Sequence, residues 1–306
     1  MHTIRNTLVV VDSQQPEELI LNRAKMIADA TRSHLHLLVC DKRLKHSSYL
    51  NDMRGALEKK GFSVSTEQAW YKSPHQTIIA TQQAKGCGLV IKQHAPDNPL
   101  KKALLTPDDW KLLRYCPSPV LIVKTATPWI GGAILAAVDV GNSEIEHRVL
   151  HAGIVSHGYD IAQMAGGTLH MLSAHPYPML SAPDPTFQLK ESIQAFYREQ
   201  CKTLQAEFNI SDERVHIEEG SADALIPQIA HKLEAALTVI GNVARSGLSG
   251  ALLGNTAEMI LDTLESDVLV LKPDDVINQL EELAAPLSTL ASEASCSWPY
   301  HHRPQT

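Results

Sequence analysis

Short apolar runs alternate along this chain with segments whose apolar residues recur every three to four positions. Runs of the first kind read as buried strands, and those of the second as helices packed by one face. In the first half the strand-like runs cover residues 7–11, 34–40, 62–69, 88–91 and 119–123. The stretch 16–30 places Ile20, Ala24, Ile27 and Ala28 on one stripe and predicts a helix. Ser73-Pro-His-Gln76 predicts another helix start, with Ser73 as N-cap, Pro74 in the first turn and Gln76 closing a capping box. Thr106-Pro-Asp-Asp109 repeats that logic ahead of Trp110 and Leu113.

The second half repeats the order. Strands are expected at 133–138, 167–172, 214–218, 236–240 and 267–271, with helices near 144–163, 187–208, 224–235 and 256–264. The segment 187–208 sets Leu189, Ile193, Phe196, Cys201, Leu204 and Phe208 near one stripe. Pro227 is expected to mark the first turn of its helix, because proline lacks the N–H that a helix interior needs. Strands alternating with helices argue for β-α-β units, a parallel sheet and the α/β class.

Two anchor phrases reveal a duplication. Leu8-Val-Val-Val-Asp12 answers Leu135-Ala-Ala-Val-Asp139, and Cys116-Pro-Ser-Pro-Val-Leu-Ile-Val-Lys124 answers Leu264-Glu-Ser-Asp-Val-Leu-Val-Leu-Lys272. The first pair is offset by 127 positions and the second by 148, so the second copy carries about 21 extra residues. They are expected in the proline-rich stretch 175–185. The domains are accordingly expected at 1–125 and 133–274, joined by a linker at 126–132 and followed by a helix and loose tail at 275–306.

Bulk properties narrow the function. A chain of 306 residues accommodates two domains of ~100–200 residues each. With 44% hydrophobic and 20% charged residues it is too apolar for a disordered chain. A net charge of −7 without a basic block argues against nucleic acid as a partner. No apolar run approaches the ~20 residues that span a bilayer, so no membrane insertion is expected. The first apolar segment is short, ends at Asp12 and reads as a strand rather than a secretory leader. Five scattered cysteines without C-x-x-C read as reduced thiols, which fits the cytoplasm.

Candidate chemistry concentrates in residues 237–272, where an apolar run, a glycine-spaced loop and an amphipathic helix follow one another. Gly241, Gly247, Gly250 and Gly254 punctuate it. Glycines let backbone N–H groups approach a ligand, and a helix start adds unpaired N–H groups, so the unit is a candidate phosphate cradle. The alternative is a loop kept for its turn geometry. Asp139 at a strand exit reads equally as a ligand contact or as a cap of its own turn; for Asp12 the cap is preferred. Fifteen histidines include His34 and His36 on one strand face and His147 and His151 at i, i+4. Neither pair has a third ligand fixed by sequence and H-E-x-x-H is absent, so surface histidines rather than a metal site are expected. Ser249 lacks the G-x-S-x-G of a nucleophile elbow, and the glycine loop lacks the G-K-[S/T] of a P-loop. No catalytic residue is expected, and a slow ATPase is the remaining enzymatic alternative.

A strand ending in Asp, three further β-α units, a G-x-x-G-x9-G-[S/T] loop and a closing V-L-V-x-K strand resemble the universal stress protein family, tandem-domain type. The resemblance covers both halves and includes the phrases Thr106-Pro-Asp-Asp-Trp-Lys-Leu-Leu-Arg-Tyr-Cys-Pro-Ser-Pro-Val120, Gly254-Asn-Thr-Ala-Glu258 and Asp267-Val-Leu-Val-Leu-Lys-Pro-Asp274. It implies two Rossmann-like domains, each a five-stranded parallel sheet of order 3-2-1-4-5 flanked by helices. It further implies an intramolecular pseudo-dimer through the last strands, with a homodimer as a further assembly. In the nucleotide-binding branch the strand-1 Asp meets the adenine or ribose side and the glycine motif holds ribose and phosphates.

Carried onto this sequence, those roles fall to Asp139, Gly241, Ala244, Gly254 and Asn255, with Arg245 and Thr256 alongside. Ala244 stands where the second glycine belongs and Asn255 where Ser or Thr belongs. An Ala forced into positive φ costs ~1–2 kcal/mol and obstructs close approach, while Asn255 is a good N-cap that competes with phosphate for the same N–H groups. In the first half Lys92 is aligned with Gly241, Leu105-Thr106 replace the Gly-Ser end, and Pro96 and Pro99 replace the loop glycines. ATP or AMP is therefore expected only in the second domain. The alternative is that the nucleotide site is lost and the chain holds an apolar, lipid-like molecule or a protein partner, with Met179, Leu180, Phe187 and Leu189 as walls.

Overall fold

A computed structural model describes residues 1, 4–94, 107–142, 144–242 and 260–282. In the first half the order is β1 (Asn6–Val10), α1 (Glu18–Thr31), β2 (His34–Cys40), α2 (Ser47–Glu58), β3 (Val64–Ala69), α3 (Pro74–Ala84), β4 (Leu89–Gln93), α4 (Pro107–Tyr115) and β5 (Val120–Val123). In the second half it is β6 (Ala133–Ala137), α5 (Ile145–Ala165), β7 (Thr168–His175), α6 (Lys190–Phe208), β8 (Val215–Glu219), α7 (Ala222–Lys232), β9 (Leu237–Gly241) and β10 (Asp267–Leu271). Residues 260–263 and 274–282 are also helical.

The strands form one sheet of order β3-β2-β1-β4-β5-β10-β9-β6-β7-β8. Each half thus runs 3-2-1-4-5, parallel throughout, as the resemblance implies. The junction is antiparallel, β5 against β10, with Leu121 opposite Leu269. These two leucines are 148 positions apart, the offset of the closing phrases. Every residue of β5 and β10 is buried. Runs such as Val120-Leu-Ile-Val123 are apolar on both faces because helices cover both faces. One core lies under α1, α2, α5 and α6. The other lies under α3, α4, α7 and the helix at 260–263.

Local expectations meet several corrections. Ser73 is the N-cap of α3 and Pro74 its first residue, but the Ser73 side chain makes no cap bond to the backbone; its hydroxyl donates instead to Gln76 Oε1 at 3.1 Å. Pro227 lies inside α7 rather than in its first turn; burial of Ile226, Ile229 and Ala230 holds the helix across it. The segment 187–208 is not one helix. A 3-10 turn at Pro185–Phe187 precedes α6, and Leu189 sits at the α6 N-cap, exposed, while Tyr197 takes a core place. The extra residues of the second copy are not confined to 175–185 either. Helix α5 has 21 residues against 14 in α1, and α6 has 19 against 12 in α2. The expected helix after Pro273 is described only to residue 282.

Candidate functional site

Parallel α/β sheets bind ligands beyond the carboxyl ends of their strands, where strand order reverses. In the second half that point lies between β6 and β9. Their register pairs Ala136 with Val239, and its continuation sets Asp139 opposite Asn242. Asp139 and Gly241, both expected in the site, thus meet at one edge. Ala244, Arg245, Gly254, Asn255 and Thr256 lie outside the described residues.

Asp139 reaches solvent at the exit of β6. Packing around its carboxyl nonetheless raises its pKa; His147 and the N–H groups of Gly141 and Asn142 oppose that rise. Its own N–H donates to His151 Nε2 at 3.3 Å. Burial, reinforced by His147, lowers His151 to about 4, so the ring is neutral near pH 7 and its Nε2 is free to accept. Of the histidines expected at the surface, His36 and His151 are instead buried, and His151 serves the strand exit. Among the described residues there is no group of three or more potential metal ligands.

Two glycines here have packing reasons. A Cβ on Gly241 would lie 2.8 Å from Leu150 Cδ2 and 3.1 Å from Ile154 Cδ1, so glycine lets α5 close onto β9. A Cβ on Gly141 would collide with the Tyr197 hydroxyl oxygen. Tyr197 therefore lies against the loop that follows Asp139, with its ring 5.7 Å from that of His175. Among the described residues, the buried Asn242 Oδ1 and His175 Nε2 at this end of the half have no hydrogen-bond partner. The sequence reading missed Asn242, His175 and Tyr197. Only Asn242, which directly follows the first motif glycine, carried a usable signal.

The first half differs chemically. Its register pairs Val9 with Ile91 and Val10 with Lys92, as Ala136 pairs with Val239, so Gln93 rather than Lys92 matches Gly241. The one-residue shift turns Lys92 to the opposite face. There its Nζ meets Asp109 Oδ1 at 2.6 Å, and His94 Nδ1 lies 3.1 Å from Asp109 Oδ2. Asp109 is the third residue of α4 and fully buried. The chain thus sets its own carboxylate in the first turn of the helix, where negative charge is favoured. Asp12 accepts from its own turn, with Gln14 N–H 2.9 Å from Oδ1. Beside these residues a cleft of about 590 Å³ opens, with Asp12, Asp41, His46, Lys92, Gln93 and Asp108 among its walls. Asp41 went unremarked in sequence, although Cys40-Asp41 ends an apolar strand just as Val11-Asp12 does.

The four described cysteines are free thiols, and burial pushes Cys40 and Cys87 up to about 12 and Cys201 to about 11. No described helix is long and apolar enough to cross a membrane.

Comparison with known proteins gives concordant results. The profile of the Universal stress protein family matches residues 132–272. Universal stress protein E of Escherichia coli (strain K12) is 30% identical over 311 residues, covering 92% of this chain and 98% of that protein. A crystal structure of a universal stress protein from Pseudomonas aeruginosa UCBPP-PA14 is 65% identical, with a TM-score of 0.85 and coverage of 93% of this chain and 99% of that one. A universal stress protein from Archaeoglobus fulgidus DSM 4304, 16% identical with a TM-score of 0.65 and coverage of 88% and 99%, shares the fold.

Proposed function

Because this chain belongs to the universal stress protein family, we propose that it acts in the stress response as a cytoplasmic binding protein with no chemistry of its own. In this reading 1–125 and 133–274 are its two domains, and the second holds an adenine nucleotide. The adenine or ribose side meets Asp139, and the phosphates run toward the loop that leaves Gly241 and carries Ala244, Arg245, Gly254, Asn255 and Thr256. The carrying observation is Asn242 Oδ1, only 6% exposed and without a hydrogen-bond partner among the described residues, directly after Gly241 at the strand-order reversal. A buried acceptor without a donor costs roughly 1–3 kcal/mol, which a ligand N–H or O–H at that place recovers.

A second reading has its own support. Tyr177, Met179, Leu180 and Leu189 lie in the segment between β7 and α6 and are all exposed, Leu180 at 83%. Phe187 anchors that segment on Phe196 of α6. Apolar side chains held at a surface suit an apolar, lipid-like ligand or a protein partner.

Mass spectrometry of freshly purified, then denatured protein separates the two. A released adenine nucleotide supports the first reading and a released apolar molecule the second. Phosphate release above the buffer rate would contradict the absence of chemistry.

A further inference from the structure

Ser63, His34, Ser65, His36 and Glu67 form one hydrogen-bonded row between β2 and β3. Ser63 Oγ lies 2.7 Å from His34 Nδ1. Ser65 Oγ lies 2.6 Å from His34 Nε2 and 2.7 Å from His36 Nδ1. Glu67 Oε2 lies 3.2 Å from His36 Nε2, and Lys85, just after α3, closes the row at 3.1 Å from the same oxygen. Ser63 is exposed at one end, and His36 is buried near the other. Among the described residues the Ser65 hydroxyl meets only the two rings.

The charged end fixes the direction of every bond. The hydrogen bond from His36, helped by Lys85, keeps the Glu67 carboxyl below its usual range, and an ionised carboxylate only accepts. His36 Nε2 therefore carries a proton. In the neutral ring Nδ1 is then bare and accepts from the Ser65 hydroxyl. The Ser65 oxygen in turn accepts from His34 Nε2–H, and the bare Nδ1 of His34 accepts from the Ser63 hydroxyl. A second proton on His36 breaks this pattern. Its Nδ1–H then donates to Ser65, whose own proton turns to His34 Nε2, and a neutral His34 must carry its proton on Nδ1, facing Ser63.

The surroundings set which ring charges first. Glu67 faces His36, whereas burial, reinforced by the neighbouring His36, lowers the pKa of His34. On β1, uncharged Asn6 and Leu8 stand beside His34 and His36. Helix α3, on the same face, has no charged group except His75 in its first turn, which meets Asp108. The second half lacks the row: His170, at the place of His36, meets His216 and Thr168.

We propose that this row is a proton-operated relay: one proton taken up at His36 reverses the hydrogen bonds through Ser65 and His34 and leaves the exposed Ser63 hydroxyl to donate outward. Histidine changes charge near neutral pH, so the first half responds in this way to mild acid. The relay does not rest on nucleotide binding in the second half.

The test is nitrogen-15 NMR of the histidine rings of the full chain, titrated from about pH 8 to about pH 5, with His34→Gln and His36→Gln assigning the signals. At the alkaline end both rings are expected to be protonated on Nε2. As His36 becomes doubly protonated, His34 is expected to stay neutral while its proton moves from Nε2 to Nδ1 with the same midpoint. Ser65→Ala is expected to abolish that move and to leave the His36 titration in place. If Ser65→Ala unfolds, His36→Gln gives the second readout, a His34 that keeps one tautomer until its own protonation. A His34 protonated on Nδ1 at the alkaline end, a His34 that charges before His36, or a move that persists in either variant would each overturn the relay.

Discussion

Arg23 on α1 and Asp267 at the head of β10 form a buried ion pair across the two halves, Nε to Oδ2 at 2.8 Å. The same oxygen accepts from Trp129 Nε1 at 2.8 Å, and Oδ1 accepts from the N–H groups of Lys124 and Thr125. The Arg23 guanidinium also donates to the Thr127 carbonyl and lies 4.9 Å from the Trp129 ring centre. One carboxylate thus fixes a helix of the first half, the connecting segment and the last strand. Arg23→Ala leaves Asp267 buried without its cation. Urea unfolding is expected to show a loss of ~3–5 kcal/mol; a loss under about 1 kcal/mol would show that the pair is incidental.

A second link is reciprocal. Lys124 Nζ donates to the Leu261 and Leu264 carbonyls at the end of the second half's last core helix, and Lys272 Nζ to the Cys116 carbonyl just after α4. Lys124 and Lys272 are equivalent in the duplication, as are Cys116 and Leu264, so each half's closing lysine caps the other half's helix. Burial lowers both lysines from 10.5 to about 8. Between those values the unfolded chain binds protons that the folded chain does not, so stability from these groups rises with pH across that window. Urea melts from pH 8 to 10 are expected to rise more steeply for wild type than for Lys272→Met. Parallel curves would contradict the buried, depressed lysine.

Acid works in the opposite direction, through histidines. His170 on β7 and His216 on β8 lie 3.2 Å apart, Nδ1 to Nε2, and burial with the neighbouring His216 and Arg214 lowers His170 from 6.5 to about 4. His151 is lowered to the same value. As pH falls from 6.5 toward 4 the unfolded chain gains protons that these folded rings refuse, and stability is lost. His170→Asn is expected to flatten the decline over that window, read by thermal melts. An unchanged slope would assign the acid sensitivity elsewhere.

Gly241 separates packing from ligand access. Gly241→Ala drives a Cβ into Leu150 and is expected to cost ~1–3 kcal/mol. Leu150→Ala in the same chain is expected to recover part of that cost as a coupling energy in urea unfolding. No coupling would mean that glycine is kept there for the ligand alone.

The alternation of strands and helices and the duplication were legible because their carriers are regular: apolar runs for strands, stripes for helices and repeated phrases for the duplication; the strand order followed from the family resemblance. What misled was local. Pro227 violates a helix rule that buried neighbours override, and Leu189 matches the α6 period but lies one residue before it. Lys92 could be aligned with Gly241 because a one-residue shift keeps the apolar pattern while changing the face; only strand register resolves it. At the edges, Asp139 and Gly241 were readable from the motif. Tyr197 became visible only through its contacts, whereas Asn242 was within reach as the residue after Gly241; the acidic wall of the first-half cleft emerged only where the exits of β1 and β2 meet the starts of α1 and α4.

The most direct test of binding at the second-half edge is calorimetric titration of ATP into wild type, Asp139→Ala and Asp12→Asn. One equivalent of nucleotide is expected in wild type, with loss of that heat in Asp139→Ala and its retention in Asp12→Asn. No heat at millimolar ATP, or heat lost only with Asp12, would contradict it.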